Sequence, residues 1–467
     1  MNSAKKNYIY NTAFSVLNMI IPLITAPYLA RILGSDGVGV YTFYFSIAQY
    51  FTILCKLGLT NYGTRHIAAI RDNKEAARTE FTNLYAMQLC VTLMVSICYF
   101  GYVILLAENK ELAGIFGIWV ISAGFDIDWL LFALEEFKEA AIRNCFVKIA
   151  AAAAVIFFVR GADDVWKYAW ITTVGYAGGY VFLWSRCRGY IAVKSVDIKT
   201  VFSHIKPCFI LMIPVIALNI YRTMDKVMLG MFSSMSETGL YEYAEKLIYC
   251  LTAFISSLGT VMMPKMSNFI AKKDMKSVSA YMFDSMAFII FLSSGMCFGI
   301  AAISNSLIPW LYGAQFAGST ILLKLLAVTL IFIAWGNVIR TQYVIPGRRD
   351  GIYIGSITTG AVVNLFVNAL LIPRYDAIGA CVGTIGAEFS VVLFQGVFLH
   401  RELPYLEYLK KTAPFLGMGM AMYAGCKVIE WKLGPGFFTM MIQMICGGIA
   451  YVAVSYVYFS KVLRMKV

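Results

Sequence analysis

The chain has 467 residues, of which 60% are hydrophobic and only 14% are charged, and its mean hydropathy is +0.71. This composition excludes an ordinary soluble globular protein and predicts an integral membrane protein. The formal net charge of +13 does not indicate nucleic-acid binding, because Lys and Arg are scattered among short segments between apolar runs. The eleven Cys fall singly and without a C-x-x-C pair, so neither a zinc site nor a disulfide framework is predicted.

Apolar runs of about 20 residues predict about fourteen transmembrane helices. The first run follows Lys5 and Lys6 without a small-residue cleavage site, so we interpret it as a retained span rather than a signal peptide. The predicted helices lie near residues 8–33, 38–61, 81–106, 112–134, 144–160, 165–185, 206–231, 238–262, 281–304, 319–344, 352–372, 378–399, 412–430 and 436–460.

The distribution of Lys and Arg predicts the orientation of these helices. Basic residues concentrate at both termini and in alternate loops, and the remaining loops are short and acidic. Because basic loops stay on the cytoplasmic side, both termini are predicted to be cytoplasmic. No loop is long enough for a folded soluble domain, so the protein is expected to act within the bilayer. The predicted fold class is an all-α, multi-pass membrane protein.

Two similar segments suggest an internal repeat. VGVYTFYFSI at 38–47 and TGLYEYAEKL at 238–247 share a Gly, an aliphatic residue and a Tyr, followed by alternating aromatic residues. Each opens the second helix of its half, as expected for a parallel repeat of six helices. We therefore predict two pseudo-symmetric six-helix lobes, at 1–205 and 206–411, and an appended helix pair at 412–467.

Charged side chains inside the predicted helices need compensation, because each costs at least about 2.5–3.5 kcal/mol at the centre of a bilayer. They can pair with each other, as Asp225 and Lys226 could with Glu245 and Lys246, or extend to the interface. Arg222 lies sixteen residues beyond Lys206, about 24 Å along a helix, which is too deep for its side chain to reach the cytoplasmic interface. The residues concerned are Lys56, Lys148, Arg222, Asp225, Lys226, Glu245, Lys246, Lys324, Arg340 and Glu388.

The segment FDIDWLLFALEEFKEAAIRNCFVK, at 125–148, contains a D-x-D pair. A catalytic metal needs several converging ligands, and neither His nor another carboxylate stands at ligand spacing. We expect instead that Asp128 and Glu135 share a helix face and meet Arg143 or Lys148 of the next helix. An embedded enzyme would also need an intramembrane His or a large outer loop. All three His lie in predicted cytoplasmic loops: His66, His204 and His400.

Several stretches together resemble a known family. NTAFSVLNMIIPLITAPYLARILG and LGLTNYGTRHIA closely resemble the opening of the polysaccharide transporter family, the oligosaccharide flippases of the multidrug/oligosaccharidyl-lipid/polysaccharide exporter superfamily. The 125–148 segment is similar as well, although Ala133 stands where the family usually has Gly. Further matches are MDKVMLGMFSSMSETGLYEYAEKL and YDAIGACVGTIGAEF, and the resemblance weakens over the last two predicted helices.

The resemblance implies a fourteen-helix flippase of the bacterial cytoplasmic membrane, with two lobes around a central cationic cavity. Such a protein moves an undecaprenyl-diphosphate-linked oligosaccharide to the outer leaflet by alternating access; it is not an enzyme and needs no cofactor or metal. A counter-transported Na⁺ or H⁺ and a glycan polymerase or glycosyltransferase are implied as partners. The alternatives are a flippase for lipid II or for another peptidoglycan or teichoic-acid precursor and, less favoured, a multidrug exporter or an embedded glycan-modifying enzyme.

By the same resemblance, cavity cations receive the diphosphate and acidic residues gate the path or couple it to an ion. Depth and helical face select the candidates on this chain. The predicted substrate-binding residues are Arg222, Lys56, Arg31, Lys148, Arg340, Lys226 and Asn18. The predicted gating or ion-coupling residues are Asp128, Asp225, Glu245 and Glu388.

Overall fold

The computed structural model describes the backbone of residues 3–186 and 195–463, and the side chains of 21–136, 142–185, 195–213 and 215–461. Within these ranges the regular structure is entirely helical. The first eight helices are α1 (Ser3–Lys56), α2 (Leu59–Ile70), α3 (Lys74–Leu105), α4 (Lys110–Ser122), α5 (Asp128–Ala133), α6 (Phe137–Phe158), α7 (Val165–Arg186) and α8 (Ile198–Phe232).

The second half of the chain continues the same pattern. These later helices are α9 (Met235–Ala271), α10 (Met275–Tyr312), α11 (Ser319–Ala327), α12 (Thr329–Ile339), α13 (Asp350–Leu399), α14 (Tyr405–Leu433), α15 (Phe437–Ile442) and α16 (Gly448–Tyr458). Three short π-helical segments, Arg340–Val344, Gln443–Gly447 and Phe459–Leu463, follow α12, α15 and α16 directly.

Polar side chains cap several of these helices at the positions where they begin. Asn73 accepts hydrogen bonds from two backbone N–H groups in the first turn of α3, and Asn109 accepts one from the backbone N–H of Leu112 in α4. Ser234 and Asp274 cap α9 and α10. Because the first N–H groups of a helix have no partner within it, each cap fixes where the helix starts.

By length and hydropathy, eight of the described helical segments can cross a membrane, or nine if the two parts of α8 count as one span. The all-α membrane fold is thus confirmed. The helix α1 has 54 residues and α13 has 50, lengths of about 80 and 75 Å that exceed twice the ~30 Å hydrocarbon core. Each is interrupted by non-helical backbone, at Gly34 and Asp376. The count of fourteen and the cytoplasmic termini remain predictions.

Many large apolar side chains lie on the outside of the helices, as lipid contact requires. On α3, Leu93, Met94 and Ile97 are all more than half exposed. In a bilayer these surfaces face hydrocarbon, while the helix satisfies its own backbone hydrogen bonds.

The chain divides into two compact units, residues 1–223 and 224–467, with α8 beginning in the first and ending in the second. The predicted boundaries at 205 and 411 remain predictions. In unit 1, Trp129 of α5 is buried against a core from α2 and α3 that includes Phe81 and Ile67. In unit 2, α14 packs along α10, where the Ser294 hydroxyl donates to the carbonyl of Phe415 at 2.8 Å.

Gly58 allows a close helix approach in unit 1. It lies between α1 and α2 with φ +73°, a conformation that favours glycine. A Cβ at this position would lie 2.5 Å from the carbonyl oxygen of Cys208 on α8. Only glycine therefore lets α8 pack directly against the end of α1, which carries Lys56.

Candidate functional site

The D-x-D segment is a break between two helices rather than part of a continuous one. The helix α4 ends at Ser122, a single 3₁₀ turn follows, and Asp126 has extended backbone with φ −75° and ψ 108°. Asp126 Oδ1 accepts a hydrogen bond from the backbone N–H of Asp128 at 2.9 Å, at the start of α5. The sequence expectation that both residues lie inside one helix is wrong, because Asp126 uses its carboxylate in the turn that begins the next helix.

A buried amide from α3 stabilises this break. The Gln88 Nε2 group donates to the carbonyls of Ala123 and Asp126 at 3.0 and 2.9 Å, and its Oε1 accepts from the Trp129 indole at 3.1 Å. Carbonyl groups freed by a helix break need such partners inside a membrane. The break is thus a built feature of unit 1 that fixes the positions of both carboxylates.

Each carboxylate of the break meets one cation, and we call Lys56, Asp126, Asp128 and Arg143 the unit 1 charge cluster. Lys56 Nζ lies 2.5 Å from Asp126 Oδ2. Arg143 of α6 donates to Asp128 Oδ2 at 3.0 Å, and its other terminal nitrogen lies 2.9 Å from Oδ1. The Asn144 side chain accepts two further hydrogen bonds from Arg143. Formal charges therefore balance within the cluster.

The members of this cluster differ in exposure. The Lys56 side chain is 34% exposed, whereas Asp126 and Arg143 are 4% and 6% exposed. Lys56 is thus the cation of the cluster that an external anion can reach, and Arg143 is held inside the protein.

Contrary to the prediction, Glu135 does not join this cluster. It lies beyond the end of α5 with φ +61°, and its carboxylate pairs with Arg71 at 2.8 Å. Because the helix ends at Ala133, Glu135 does not share a face with Asp128. Of the two predicted partners for Asp128, the structure selects Arg143.

In unit 2, a second group of charges joins α8 and α9. Lys226 Nζ lies 2.9 Å from Glu242 Oε2 and 2.8 Å from Glu245 Oε2. Lys246 pairs with Glu242 at 3.2 Å. The predicted pairing of Lys226 with Glu245 is confirmed, whereas Lys246 pairs with Glu242 rather than with Asp225. Because two carboxylates surround its amine, Lys226 is less available to an anionic substrate than Lys56.

Asp225 takes part in a separate network in which its side-chain partners are neutral, and we call this the Asp225 site: Asp225, Tyr241, Asn364, Asn368 and Thr384. Asp225 is 1% exposed. Its carboxylate accepts hydrogen bonds from the hydroxyls of Tyr241 and Thr384, at 2.7 and 3.0 Å, and from the Asn368 amide. Among the described residues, no protein partner satisfies Asn364 Nδ2 or Asn368 Oδ1. The site thus gathers buried oxygen atoms around one carboxylate whose protein partners are neutral.

The structure places the other predicted residues on separate helices. Arg222 is exposed on α8 and makes no ion pair or hydrogen bond in the part of the chain that is described. Arg31 is exposed on α1. Three others are half-buried: Lys148, Arg340 and Glu388. Asn18 lies outside the described side chains. The substrate-binding and gating roles of all these residues remain predictions.

Sequence reasoning missed partners in the helix break, in the Lys226 group and in the Asp225 site. Glu242 could have been found, because it stands four residues before Lys246 on the same helix face. The N-x-x-x-N spacing of Asn364 and Asn368 also places two amides on one face of α13. Gln88 and Thr384 carried no signal, because a single polar residue in an apolar span usually indicates helix packing.

The sequence matches a family of polysaccharide biosynthesis proteins and is similar to a protein named as a transporter. Residues 4–270 match the sequence profile of the family described as Polysaccharide biosynthesis protein. The chain is also 19% identical, over 405 residues, to the protein named "Putative O-antigen transporter" from Escherichia coli K12, covering 86% of this chain and 97% of that one.

Two solved structures share the fold. The lipid II flippase MurJ, in an inward closed conformation, aligns with a TM-score of 0.76 and 17% identity, over 97% of this chain and 100% of that one. An inward-facing multidrug resistance MATE transporter of the MOP superfamily aligns with a TM-score of 0.61 and 12% identity, over 86% of this chain and 95% of that one. The fold is therefore that of these membrane transporters.

Proposed function

The chain belongs to the polysaccharide biosynthesis protein family, and from this premise we propose that it is a flippase for a lipid-linked glycan. Its substrate would be an undecaprenyl-diphosphate-linked oligosaccharide, moved from the cytoplasmic to the outer leaflet of the bacterial cytoplasmic membrane. The similarity to an O-antigen transporter along nearly its whole length supports a glycan rather than a drug as cargo. The proposed mechanism is alternating access through a cationic central cavity.

The chemistry of the cargo explains why a protein is needed. Each sugar hydroxyl that enters hydrocarbon without a hydrogen-bond partner costs on the order of 1–3 kcal/mol, and the diphosphate carries charge as well. A polar path with fixed cations replaces the lost hydration. Arginine suits the diphosphate because its planar guanidinium offers paired donors to phosphate oxygens.

The observation that carries the proposal is the position of Arg222, an exposed and unpartnered arginine of the described residues on α8. It lies ten residues before the end of α8, about 15 Å along the helix, or half the ~30 Å hydrocarbon core. Its side chain is exposed and has no ion-pair or hydrogen-bond partner among the described residues. A guanidinium at this depth is too costly to face lipid. We therefore assign its surface to a polar path in which the diphosphate is the counter-charge.

Lys56 would provide the second contact. Its amine is partly exposed and already bound to Asp126. An incoming diphosphate can compete with Asp126 for this amine, while Arg143 continues to hold Asp128 nearby. The displaced Asp126 carboxylate would lose its cation, so substrate binding at Lys56 would weaken the tie between α1 and the helix break. Arg31, Lys148, Arg340, Lys226 and Asn18 remain candidates for the rest of the path.

We further propose that the Asp225 site couples transport to a cation, Na⁺ or H⁺. Its buried carboxylate meets the hydroxyl oxygens of Tyr241 and Thr384, and the side-chain carbonyl oxygens of Asn364 and Asn368 belong to the same network. Hard cations prefer such oxygen ligands. A bound cation would also satisfy Asn368 Oδ1. Asp128, Glu245 and Glu388 would act in gating or coupling.

The proposal is tested by reconstituting the full-length protein in liposomes with fluorescently labelled undecaprenyl-diphosphate oligosaccharide. Label in one leaflet is quenched chemically, and its protein-dependent loss from that leaflet is followed over time. We expect translocation of intact substrate, competed by unlabelled substrate more strongly than by lipid II or by a cationic drug. Stronger competition by lipid II would reassign the cargo to a peptidoglycan precursor, and a chemically altered substrate would indicate an enzyme.

A further inference from the structure

Three side chains from three helices of unit 1 converge at a place outside the unit 1 charge cluster. His66 lies on α2, Glu80 on α3 and His204 in the second turn of α8. Glu80 Oε2 lies 3.1 Å from Nε2 of His66 and 3.1 Å from Nε2 of His204. All three ligand atoms lie within 4.8 Å of one another. The sequence placed both histidines in loops, and this is wrong because α2 and α8 extend over those positions.

The buried member of this triad has an unsatisfied nitrogen. The His204 side chain is 5% exposed. Although its Nε2 is close to Glu80, the contact lacks hydrogen-bond geometry, and no other described residue provides a partner. His66, by contrast, is hydrogen-bonded to Glu80. Hydrogen bonding within the triad therefore satisfies one histidine and leaves the other with an uncompensated buried polar atom, which is unfavourable.

Tyr62 fixes the orientation of the buried ring. Its hydroxyl lies 2.9 Å from Nδ1 of His204, and its ring stacks on His66 with centroids 5.4 Å apart. When Nδ1–H donates to the Tyr62 oxygen, Nε2 carries the lone pair and faces the Glu80 carboxylate. Two electron-rich atoms at 3.1 Å repel each other unless a cation lies between them. Metal-bound histidines are commonly held by such a second hydrogen bond.

We propose that His66, Glu80 and His204 form a binding site for a divalent transition-metal ion of the zinc class. Zinc takes imidazole nitrogen and carboxylate oxygen at about 2.0–2.2 Å, which gives spacings near 3.3 Å between tetrahedral ligands. The observed 3.1 Å spacings come close to this value. Three protein ligands leave a fourth position for water, and the partly exposed His66 and Glu80 provide access from outside.

A bound ion would connect α2, α3 and α8 at one point. This connection involves none of the residues assigned to the substrate path or to the Asp225 site. The proposal therefore goes beyond the proposed function, and it departs from the sequence expectation of a chain without a metal.

Binding is tested on the full-length protein, purified in detergent and stripped of metal with a chelator. Zn²⁺ is titrated in competition with a chromophoric chelator, and Co²⁺ is added separately to record its visible absorption. We expect one Zn²⁺ per chain, a rise in melting temperature on binding, and the intense bands of tetrahedral Co²⁺. Zinc affinity should fall at least tenfold in Glu80→Gln and in His204→Gln.

Two variants keep the test interpretable. Tyr62→Phe leaves all three ligands in place and should weaken zinc binding by roughly 10- to 100-fold through loss of the second hydrogen bond. His400→Gln removes an exposed histidine of unit 2 and should leave affinity unchanged. Absence of stoichiometric zinc binding, or equal binding by wild type and a folded His66→Gln, His204→Gln double variant, would overturn the proposal.

Discussion

Arg143 binds Asp128 through both ends of its guanidinium, with nitrogen–oxygen distances of 3.0 and 2.9 Å, in a setting that buries the arginine almost completely. The pair joins α5 to α6 directly after the helix break. It therefore fixes the part of unit 1 from which Asp126 reaches Lys56. The helix break, rather than a continuous helix, creates the charge arrangement that the proposed function uses.

Arg143→Met should destabilise the protein. Removing one partner of a buried ion pair leaves the other charge uncompensated, at a cost of about 3–5 kcal/mol. The change is measured as a lower midpoint of unfolding in detergent. The double variant Arg143→Met, Asp128→Asn should recover part of the loss, because neither charge is then left alone. A double variant as unstable as the sum of the two single variants would contradict a direct pairing.

Gly58→Ala should also destabilise the protein. A left-handed backbone costs an L-residue about 1–2 kcal/mol, and the contact with the Cys208 carbonyl adds an overpacking cost of about 1–3 kcal/mol. Gly101→Ala is the matched control, because a Cβ at Gly101 meets no atom within 4 Å. Equal unfolding midpoints for the two variants would show that α8 does not depend on Gly58 for its close approach.

Lys56 should bind substrate through its charge. Lys56→Gln alone would leave Asp126 buried without its cation, so the informative variant is Lys56→Gln combined with Asp126→Asn. We expect this double variant to fold and to transport about 10- to 100-fold more slowly, the factor supplied by a charge-assisted hydrogen bond of about 1.5–3 kcal/mol. Asp126→Asn alone, which frees the amine, should transport. Normal transport by the folded double variant would remove Lys56 from the path.

Asp225→Asn should remove the response of transport to a cation gradient. The substitution keeps the size of the side chain but removes the negative charge that a cation requires. Initial rates are measured in liposomes with an imposed Na⁺ or pH gradient and without one. Asp350→Asn, at an exposed carboxylate of the same unit, is the control. Stimulation by the gradient that persists in Asp225→Asn would place coupling elsewhere.

Hydropathy predicted the helical membrane fold because the cost of an unsatisfied backbone in lipid leaves few alternatives. It missed the break at Asp126, since the residues on both sides are apolar and the breaking interactions come from Gln88 on α3. The positive φ of Asp376 was equally unpredictable, because glycine is the residue that most often adopts a positive φ.

Pairing was predicted only where partners share a helix or lie close in sequence. Lys226 and Glu245 belong to adjacent helices, and their contact could be anticipated from depth. By contrast, Arg71 with Glu135 and His66 with His204 depend on how distant segments end and pack. Loop charges alone did not show that α2 and α8 would bring the two histidines together.

The most direct test of the account is the transport rate of Arg222→Ala beside wild type and Arg401→Ala, in liposomes with equal amounts of folded protein. Arg401 is an exposed arginine in the loop between α13 and α14. If Arg222 provides the counter-charge for the diphosphate inside the membrane, its variant loses translocation, while Arg401→Ala keeps the wild-type rate. Wild-type translocation by Arg222→Ala would contradict the proposed path.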